Sequence, residues 1–285
     1  MKLDKKKSLN TSKFLRLILL YLLAAGGAAV MVFPFLWMVS NAFKEHVFVI
    51  EYPPQLIPTN PSIGNFVRAW TSNNFQLYFT NSAVVALTST FFTVLFSAMM
   101  AYAFARFKFP GREALFFTIL LVLMVPDMIT IIPKFLLIKT LGLRNSLWGL
   151  ILVYIAGSTS LNTFLLRGFF EQLPHELEEA MLIDGAGYFT IFLRMILPLS
   201  APALATVTIF SFLGHWDEFT WALTIIDDPL KRTLPIAIYS FQGQHGTEWG
   251  LVFAAMIIAL IPVLIIFITL QRYFVSGITA GAVKG

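Results

Sequence analysis

Residues 214–221, with the sequence GHWDEFTW, combine aromatic rings, an imidazole and carboxyl groups. Aromatic faces can stack on the apolar faces of a sugar ring, while carboxylates and imidazole nitrogens can hydrogen-bond to its hydroxyl groups. The run therefore predicts a segment that lines a solute pathway. Its candidate residues are His215, Trp216, Asp217 and Glu218. The alternative is an interfacial aromatic belt, in which tryptophan and tyrosine settle at the level of the lipid headgroups, and it applies most directly to Trp221.

The carboxylate of Asp127 stands inside a long apolar stretch, directly after Pro126. A charged group at membrane depth normally faces a water-filled cavity or the interior of a helix bundle. Prolines at 126 and 133 can open a helix and free backbone carbonyls for a substrate or for a neighbouring helix. Asp127 is therefore a second candidate for the pathway. The competing interpretation is a proline kink, with Asp127 paired to another helix or lying at the outer membrane interface.

Residues 173–202 form a charged, amphipathic segment between two very hydrophobic stretches. Pro174 suits the first helical position, where its missing N–H is no loss, and three glutamates follow near the positive end of the helix dipole. Gly185 can end this helix, since glycine adopts the left-handed conformation without steric cost. A second short helix, over residues 188–195, is expected to stop at Pro198. One face of the first helix consists of Leu177, Ala180, Met181 and Asp184.

This segment resembles the EAA loop of ABC importer permeases, whose pattern is E-A-A, three residues, G, nine residues, I-x-L-P. The positions that match at the family's spacing are Glu179, Ala180, Gly185, Leu197 and Pro198. Two positions depart, because Met181 replaces the second alanine and Met195 the isoleucine. The neighbouring run Asp184-Gly185-Ala186 and the C-terminal residues 271–285 are similar to those of carbohydrate importers, the MalG-type, maltose-transporter-like permeases.

The resemblance implies an all-α integral membrane fold, the six-helix type I permease with cytoplasmic coupling helices. It implies that the helix around residues 179–185 inserts into a cleft on an ATPase. Glu179 would then supply a charge, Ala180 a close approach and Gly185 the bend, while Met181 would enter an apolar pocket. The implied partners are a second homologous permease, two copies of a cytoplasmic ATPase subunit and an extracytoplasmic sugar-binding protein that docks on the outer loops, plausibly on residues 226–248.

Composition supports a membrane protein independently of this resemblance. The chain is 58% hydrophobic and 12% charged with a mean hydropathy of +0.78, against about 25% charged residues in a soluble domain. About 20 apolar residues cross the hydrocarbon core as a helix. The six qualifying stretches are Phe14–Val39, Leu77–Phe104, Ala114–Ile138, Leu147–Leu166, Leu199–Thr224 and Leu251–Leu270. An even number of spans puts both termini on the same side.

Basic residues orient the chain. With the N-terminus inside, inner segments hold thirteen of the twenty Lys and Arg residues: Lys2, Lys5, Lys6, Lys7, Lys13, Arg16, Arg106, Lys108, Arg112, Arg167, Arg194, Arg272 and Lys284. The positive-inside rule then predicts cytoplasmic termini in the cell membrane. The predicted organisation is a cytoplasmic segment 1–13, a permease domain 14–275 and a cytoplasmic tail 276–285. Within the domain lie external loops 44–76 and 226–248 and the coupling loop 167–198, and prolines favour an extended conformation for the first of these loops.

Several functions are excluded or disfavoured by the sequence. No G-x-x-x-x-G-K-[ST] phosphate loop occurs, so the chain is not expected to hydrolyse ATP. It has no cysteine, its four histidines lack zinc-like spacing, and no cofactor or metal is expected. The net charge of +5 is explained by basic flanks that contact membrane lipid and not by nucleic acid. The remaining alternatives are an ABC importer of a non-sugar solute, an ion-gradient-driven secondary carrier, or a membrane scaffold.

Overall fold

The computed structural model describes residues 11–45, 55–243 and 246–282. Most of the predicted N-terminal segment 1–13, together with Pro53, Pro54 and the last three residues of the tail, lies outside the described part. The α-helices are α1 (Thr11–Ala42), α2 (Gly64–Thr71), α3 (Phe75–Arg106), α4 (Arg112–Leu121), α5 (Ile131–Thr140), α6 (Leu147–Phe170), α7 (His175–Ile183), α8 (Tyr188–Ile191), α9 (Leu197–Leu199), α10 (Ala201–Trp216), α11 (Thr220–Ile225), α12 (Leu234–Ser240) and α13 (Trp249–Ala282). Two-residue strands β1 (Gln242–Gly243) and β2 (Gly246–Thr247) pair antiparallel.

Four helices are long and apolar enough to cross a membrane by themselves: Lys13–Ala42, Phe75–Arg106, Leu147–Phe170 and Trp249–Tyr273. Two bent helix pairs also qualify if each pair counts as one span, which gives up to six spans in the described part. The predicted first, second, fourth and sixth spans therefore correspond to continuous helices. The third and fifth were predicted as single continuous stretches, and both are broken.

The third span breaks between Met124 and Asp127, with a bend of 94° between its two arms. A 3-10 turn, Val122–Met124, ends α4, and another, Asp127–Thr130, leads into α5. Val125 is extended, with φ −92° and ψ 117°, because the ring of Pro126 disfavours the helical conformation of the preceding residue. The predicted opening at Pro126 is confirmed. Pro133, by contrast, lies in the first turn of α5, where the missing N–H costs nothing.

The fifth span is bent by 80° at Ser200, between the arm Tyr188–Leu199 and α10. The predicted stop at Pro198 is wrong by two residues, since Pro198 lies within the short helix α9. A π-helical stretch, Phe192–Ile196, precedes it, and the Leu197 N–H donates to the Phe192 carbonyl five residues back. This shifted pairing lets the helix pass the proline, which has no N–H to donate.

The predicted fifth span also ends earlier than Thr224. Helix α10 stops at Trp216, and α11 begins only at Thr220. The carboxylate of Glu218 accepts the backbone N–H of Trp221 at 2.7 Å and that of Ala222 at 3.0 Å. A side chain that satisfies these N–H groups starts a new helix, as an N-cap does, so the polar run interrupts the span.

The predicted external loops contain more regular structure than expected. Within residues 44–76, which were predicted to form an extended loop, α2 and the start of α3 are helical, and the described residues 44–45, 55–63 and 72–74 form turns, bends or irregular structure. The loop 226–248 holds a 3-10 turn, Pro229–Lys231, helix α12 and the β1–β2 pair. At the other end, α13 continues to Ala282, so most of the predicted tail 276–285 extends the last helix.

The chain divides into two compact units. The first comprises residues 1–69 and 241–257. In it the Asn65 side-chain amide donates to the carbonyls of Ala42 at 3.0 Å and Lys44 at 2.7 Å. A Cβ at Gly250 would lie 2.6 Å from that amide nitrogen and 3.0 Å from the Lys44 carbonyl oxygen, so a larger residue there would displace the Asn65 amide. The Arg68 guanidinium donates two hydrogen bonds to the Glu248 carboxylate, at 2.5 Å and 2.6 Å, and this partner raises the pKa of Arg68 above its ordinary value.

The second unit, residues 70–240 and 258–285, contains both predicted functional segments. Its core has two clusters along α3 and α6. One cluster contains Val85, Leu150, Tyr154, Trp221 and Ile225, and it holds α11 against α6. The other contains Ala98, Tyr102, Leu166, Phe170 and Ile196, and it holds the arm after α7 against the ends of α3 and α6. Each cluster therefore supports one of the functional segments.

Candidate functional site

Helix α7 ends as predicted at Gly185, which has a φ of +82°. The Gly185 N–H donates to the Leu182 carbonyl at 3.0 Å, and the Ala186 N–H donates to the Met181 carbonyl at 2.9 Å. These two bonds form a Schellman motif, the helix end in which a left-handed glycine satisfies the last free carbonyls. The predicted two short helices meeting at a glycine are therefore present in the structure.

One face of α7 is anchored to the end of α3. The Glu178 carboxylate is buried and accepts the Tyr102 hydroxyl at 3.1 Å. The Arg106 guanidinium lies 3.5 Å from the same carboxylate and donates to the Leu173 carbonyl at 2.7 Å. Glu178 is one of the three glutamates that were predicted to lie near the positive end of the helix dipole, and its anchoring role was not predicted. Its partners are about 70 residues away along the chain, so no local pattern indicated it.

Met181 lies on the anchored face as well. It is half-buried and packs on the cluster around Tyr102, Phe170 and Phe192. Part of the Met181 side chain is therefore covered by its own chain. Its contact with an apolar pocket on an ATPase stays a prediction. Leu197 is half-buried against the same cluster, while Pro198 is exposed in α9.

The opposite face of α7 is open. The exposed motif residues are Glu179, Ala180, Asp184 and Gly185. Ile183, which the sequence analysis did not select, is 86% exposed in the same turn. A large apolar side chain so fully exposed beside charged residues is typical of a contact surface for another protein. The exposed face of α7, defined here by Glu179, Ala180, Ile183 and Asp184, is the first candidate functional site.

The second candidate is a cavity of about 670 Å³ within the second unit. Its polar and aromatic lining residues are Asp127, Thr130, Lys134, Tyr154, Ser158, His215, Glu218 and Trp221. Three of the predicted pathway residues, Asp127, His215 and Glu218, thus line one space. Trp216 and Asp217 do not. The Trp216 ring is buried, with its indole N–H donating to the Ala259 carbonyl at 3.1 Å, and Asp217 is exposed elsewhere.

Asp127 is held by three partners. Its carboxylate accepts the indole N–H of Trp221 at 2.8 Å, pairs with Lys134 and receives the Thr130 hydroxyl. The Lys134 ammonium also lies 5.4 Å from the centre of the Trp221 ring. Two interpretations were left open for Asp127: a position on a cavity, or a proline kink with pairing to another helix. The structure combines both, since Asp127 lines the cavity and also pairs with Trp221 of α11. Trp221 is buried at 4% exposure, which does not fit the aromatic-belt alternative.

Glu218 and His215 form the other wall. The Tyr154 hydroxyl donates to Glu218 at 2.7 Å, and the Tyr154 ring stacks on the His215 imidazole at 5.4 Å. The two imidazole nitrogens lie 3.2 Å from the Thr90 hydroxyl and 3.0 Å from the Ser158 hydroxyl. The imidazole therefore joins α3, α6 and α10 behind the cavity.

The cavity is lined by the kinds of group that would contact a hydroxylated solute. It presents carboxylates, hydroxyls, an ammonium and indole and phenol rings, the groups that satisfy sugar hydroxyls and cover sugar ring faces. Among the described residues no three His, Asp or Glu side chains lie close enough together to hold a metal ion. Sequence reasoning missed Tyr154 and Lys134 because both belong to ordinary apolar stretches, and only the bend at Pro126 brings Lys134 to the cavity.

Broken spans beside a polar cavity are typical of transport proteins, and the short helix exposed between two spans carries the resemblance to ABC importer permeases. Residues 93–280 match the family described as the binding-protein-dependent transport system inner membrane component, and the chain belongs to this family. It is 37% identical over 274 residues to the trehalose/maltose transport system permease protein MalG of Thermococcus litoralis, covering 95% of this chain and 98% of that protein. It is 34% identical to the galactooligosaccharides transport system permease protein GanQ of Bacillus subtilis, covering 97% and 99%.

The fold has a counterpart among solved structures. A chain from the crystal structure of a bacterial ABC transporter involved in the import of the acidic polysaccharide alginate superimposes with a TM-score of 0.81 at 22% identity, covering 96% of this chain and all of that one. The predicted all-α membrane fold and the predicted ABC permease subunit are confirmed, as is a multi-pass membrane location. Membership of this family excludes two of the alternatives left by the sequence, an ion-gradient-driven secondary carrier and a membrane scaffold. In such systems a separate subunit hydrolyses ATP.

Proposed function

We propose that this chain is one permease half of an ATP-driven carbohydrate importer and that the exposed face of α7 docks on a cytoplasmic ATPase subunit. The observation that carries this assignment is the division of α7 into two faces. One face is tied to α3 and the core through Glu178 and Met181. The other exposes the motif residues together with Ile183. A helix built in this way can receive a partner's movement without detaching from its own chain.

The proposed assembly has a second homologous permease, two ATPase copies and an extracytoplasmic sugar-binding protein. Both termini and α7 lie on the cytoplasmic side in this arrangement, which the distribution of Lys and Arg supports. The loops around α2 and α12 then lie outside, where a binding protein can reach them.

Carbohydrate is the proposed solute, and the polar cavity is part of its path. The relatives named above carry trehalose, maltose or galactooligosaccharides by their descriptions. The cavity supports this class because it offers hydrogen-bond partners beside the rings of Tyr154 and Trp221. A second permease would provide the remaining wall of the pathway.

The docking proposal is tested with Ile183→Asp. An exposed aspartate does not disturb the packing of α7, but it places a charge where an apolar contact with the ATPase is expected. Co-purification of the ATPase from native membranes should fall at least tenfold, while the second permease is retained. Ile57→Asp is the matched control, since Ile57 is similarly exposed at 84% and lies in the segment assigned to the outside. Unchanged ATPase recovery with Ile183→Asp, or equal loss with both variants, would overturn the proposal.

A further inference from the structure

Helix α3 is a single 32-residue helix that contacts three separate places in the second unit. Its C-terminal end holds α7, its middle holds the cavity wall, and its N-terminal part holds the segment after α11. From Asn81 to Arg106 an ideal helix extends about 38 Å at about 1.5 Å per residue. This length is sufficient to cross the hydrocarbon core.

At the C-terminal end the contact is ionic and closed to solvent. The Arg106 side chain is 0% exposed and that of Glu178 is 9% exposed, with 3.5 Å between the guanidinium and the carboxylate. The Tyr102 hydroxyl donates to the same carboxylate one turn earlier in α3. A buried charge pair with a further hydrogen bond resists sliding, because separating either charge leaves it unpaired away from water.

In the middle of α3, the Thr90 hydroxyl lies 3.2 Å from the His215 imidazole, which stacks on Tyr154 at the cavity. Nearer its N-terminus, the Asn81 amide donates to the carbonyls of Leu230 at 3.0 Å and Arg232 at 2.9 Å. The Ser82 hydroxyl accepts the Leu234 N–H at 2.8 Å. These polar contacts fix α3 to the cavity wall and to the start of α12.

We propose that the Tyr102–Arg106–Glu178 cluster is the link through which a movement of α7 is passed to α3, and by α3 to the cavity and to residues 230–234. Glu178 is thus a positioning residue for coupling and is distinct from the exposed residues that contact the ATPase. This inference rests on the proposed function, since it requires that an ATPase acts on α7. It adds a specific connection within the chain, in which packing and hydrogen bonds along α3 join α7 at one end to residues 230–234 at the other.

The test uses the complete importer, with both permeases, the ATPase and the sugar-loaded binding protein, in lipid nanodiscs. Glu178→Gln keeps the size of the side chain and an acceptor for Tyr102 but removes the charge that Arg106 faces. The ATPase should associate as in the wild type, within twofold, because the exposed face of α7 is unchanged. Stimulation of ATP hydrolysis by the binding protein should fall at least fivefold, and ATP-driven uptake should fall with it.

A fluorescent label near the other end of α3 reports on movement there. Its signal would not change if Glu178 only stabilised the fold. The chain has no cysteine, so Leu230→Cys, at a residue 59% exposed, can carry a single fluorophore. ATP binding should change its emission in the otherwise wild-type complex and not in the Glu178→Gln complex. Tyr102→Phe, which removes only the hydroxyl, should reduce the emission change by about half. Glu176→Gln, at an exposed glutamate in the first turn of α7, is the matched control and should leave it intact.

Three results would overturn this link. The first is a wild-type emission change in Glu178→Gln, and the second is binding-protein stimulation within twofold of the wild type. The third is a loss of ATPase association in Glu178→Gln as large as that in Ile183→Asp, which would make Glu178 a support of the docking surface only. An ATPase that does not bind even the wild-type chain would instead refute the proposed function.

Discussion

The exposed face of α7 and the polar cavity are both built from charged residues, but they differ in where those residues find their partners. In the cavity, Asp127 and Glu218 each accept hydrogen bonds from groups of the same chain. On α7, the Glu178 carboxylate accepts a hydrogen bond in this way, while the carboxylates of Glu179 and Asp184 are exposed. A self-satisfied network holds a shape, whereas an exposed charged face is available to a partner. Substitutions in the cavity should therefore lower the free energy of unfolding more than they change ATPase binding. Substitutions on the exposed face of α7 should weaken ATPase binding more than they change stability.

The largest expected effect on stability is that of Glu218→Ala. The variant leaves the Tyr154 hydroxyl and the first N–H groups of α11 without their acceptor. Loss of a half-buried acceptor for the buried Tyr154 hydroxyl and of a helix cap together should lower the free energy of unfolding by about 2–4 kcal/mol. Chemical unfolding in mixed micelles measures this value. Asp217→Ala, at the exposed neighbouring carboxylate, should stay within about 0.5 kcal/mol. Equal losses in the two variants would contradict the contrast.

Asp127→Ala should have a smaller effect, about 1–2 kcal/mol, since the Asp127 side chain is partly open to solvent and its ion pair with Lys134 is screened. The indole N–H of Trp221 loses its partner, and the bend after Pro126 becomes less well fixed. Lys134→Met separates the two causes, because it removes the ion pair but leaves the Trp221 hydrogen bond. It should cost less than Asp127→Ala in the same unfolding experiment. If Lys134→Met lowers the free energy of unfolding as much as Asp127→Ala does, the ion pair and not the Trp221 hydrogen bond is the main contribution of Asp127 to stability.

The sequence predicted what depends on local chemistry. Span positions followed from apolar length, the opening at Pro126 followed from the proline ring, and the end of α7 followed from Gly185. The exact position of the break at Ser200 did not follow, because the predicted stop was Pro198 and the π-helical stretch before it carries the helix past this proline.

The candidate sites show the same division. The exposed motif residues Glu179, Ala180 and Asp184 were selected because their spacing along 20 residues is local, whereas Ile183 belongs to no motif and was not selected. Glu178 and Tyr154 were not identified, because the functions assigned to them come from contacts between distant segments. Glu178 meets Tyr102, 76 positions away, and Tyr154 meets Glu218, 64 positions away.

Gly185→Ala tests whether the geometry of α7 contributes to docking in addition to its side chains. Alanine at a φ of +82° is strained by about 1–2 kcal/mol, although no neighbouring atom would touch its Cβ. ATPase association should fall about fivefold, and unfolding should shift by no more than this strain. Gly187→Ala is the matched control, since Gly187 has a φ of −78° and equally open space. An equal fall in association for both variants would mean that the left-handed turn is irrelevant.

Glu179→Gln should have the smallest effect on stability and is the sharpest test of the comparison. Its side chain is exposed, so its replacement should change the free energy of unfolding by less than about 0.5 kcal/mol. The same change removes a charge from the docking face, so ATPase binding should weaken about threefold to tenfold, and the loss should shrink as salt is raised. Titration of the ATPase onto the permease pair at two salt concentrations measures both quantities. A salt-independent loss would assign Glu179 a role in shape rather than charge. A large destabilisation would mean that α7 is as self-satisfied as the cavity, which would remove the distinction between the two regions.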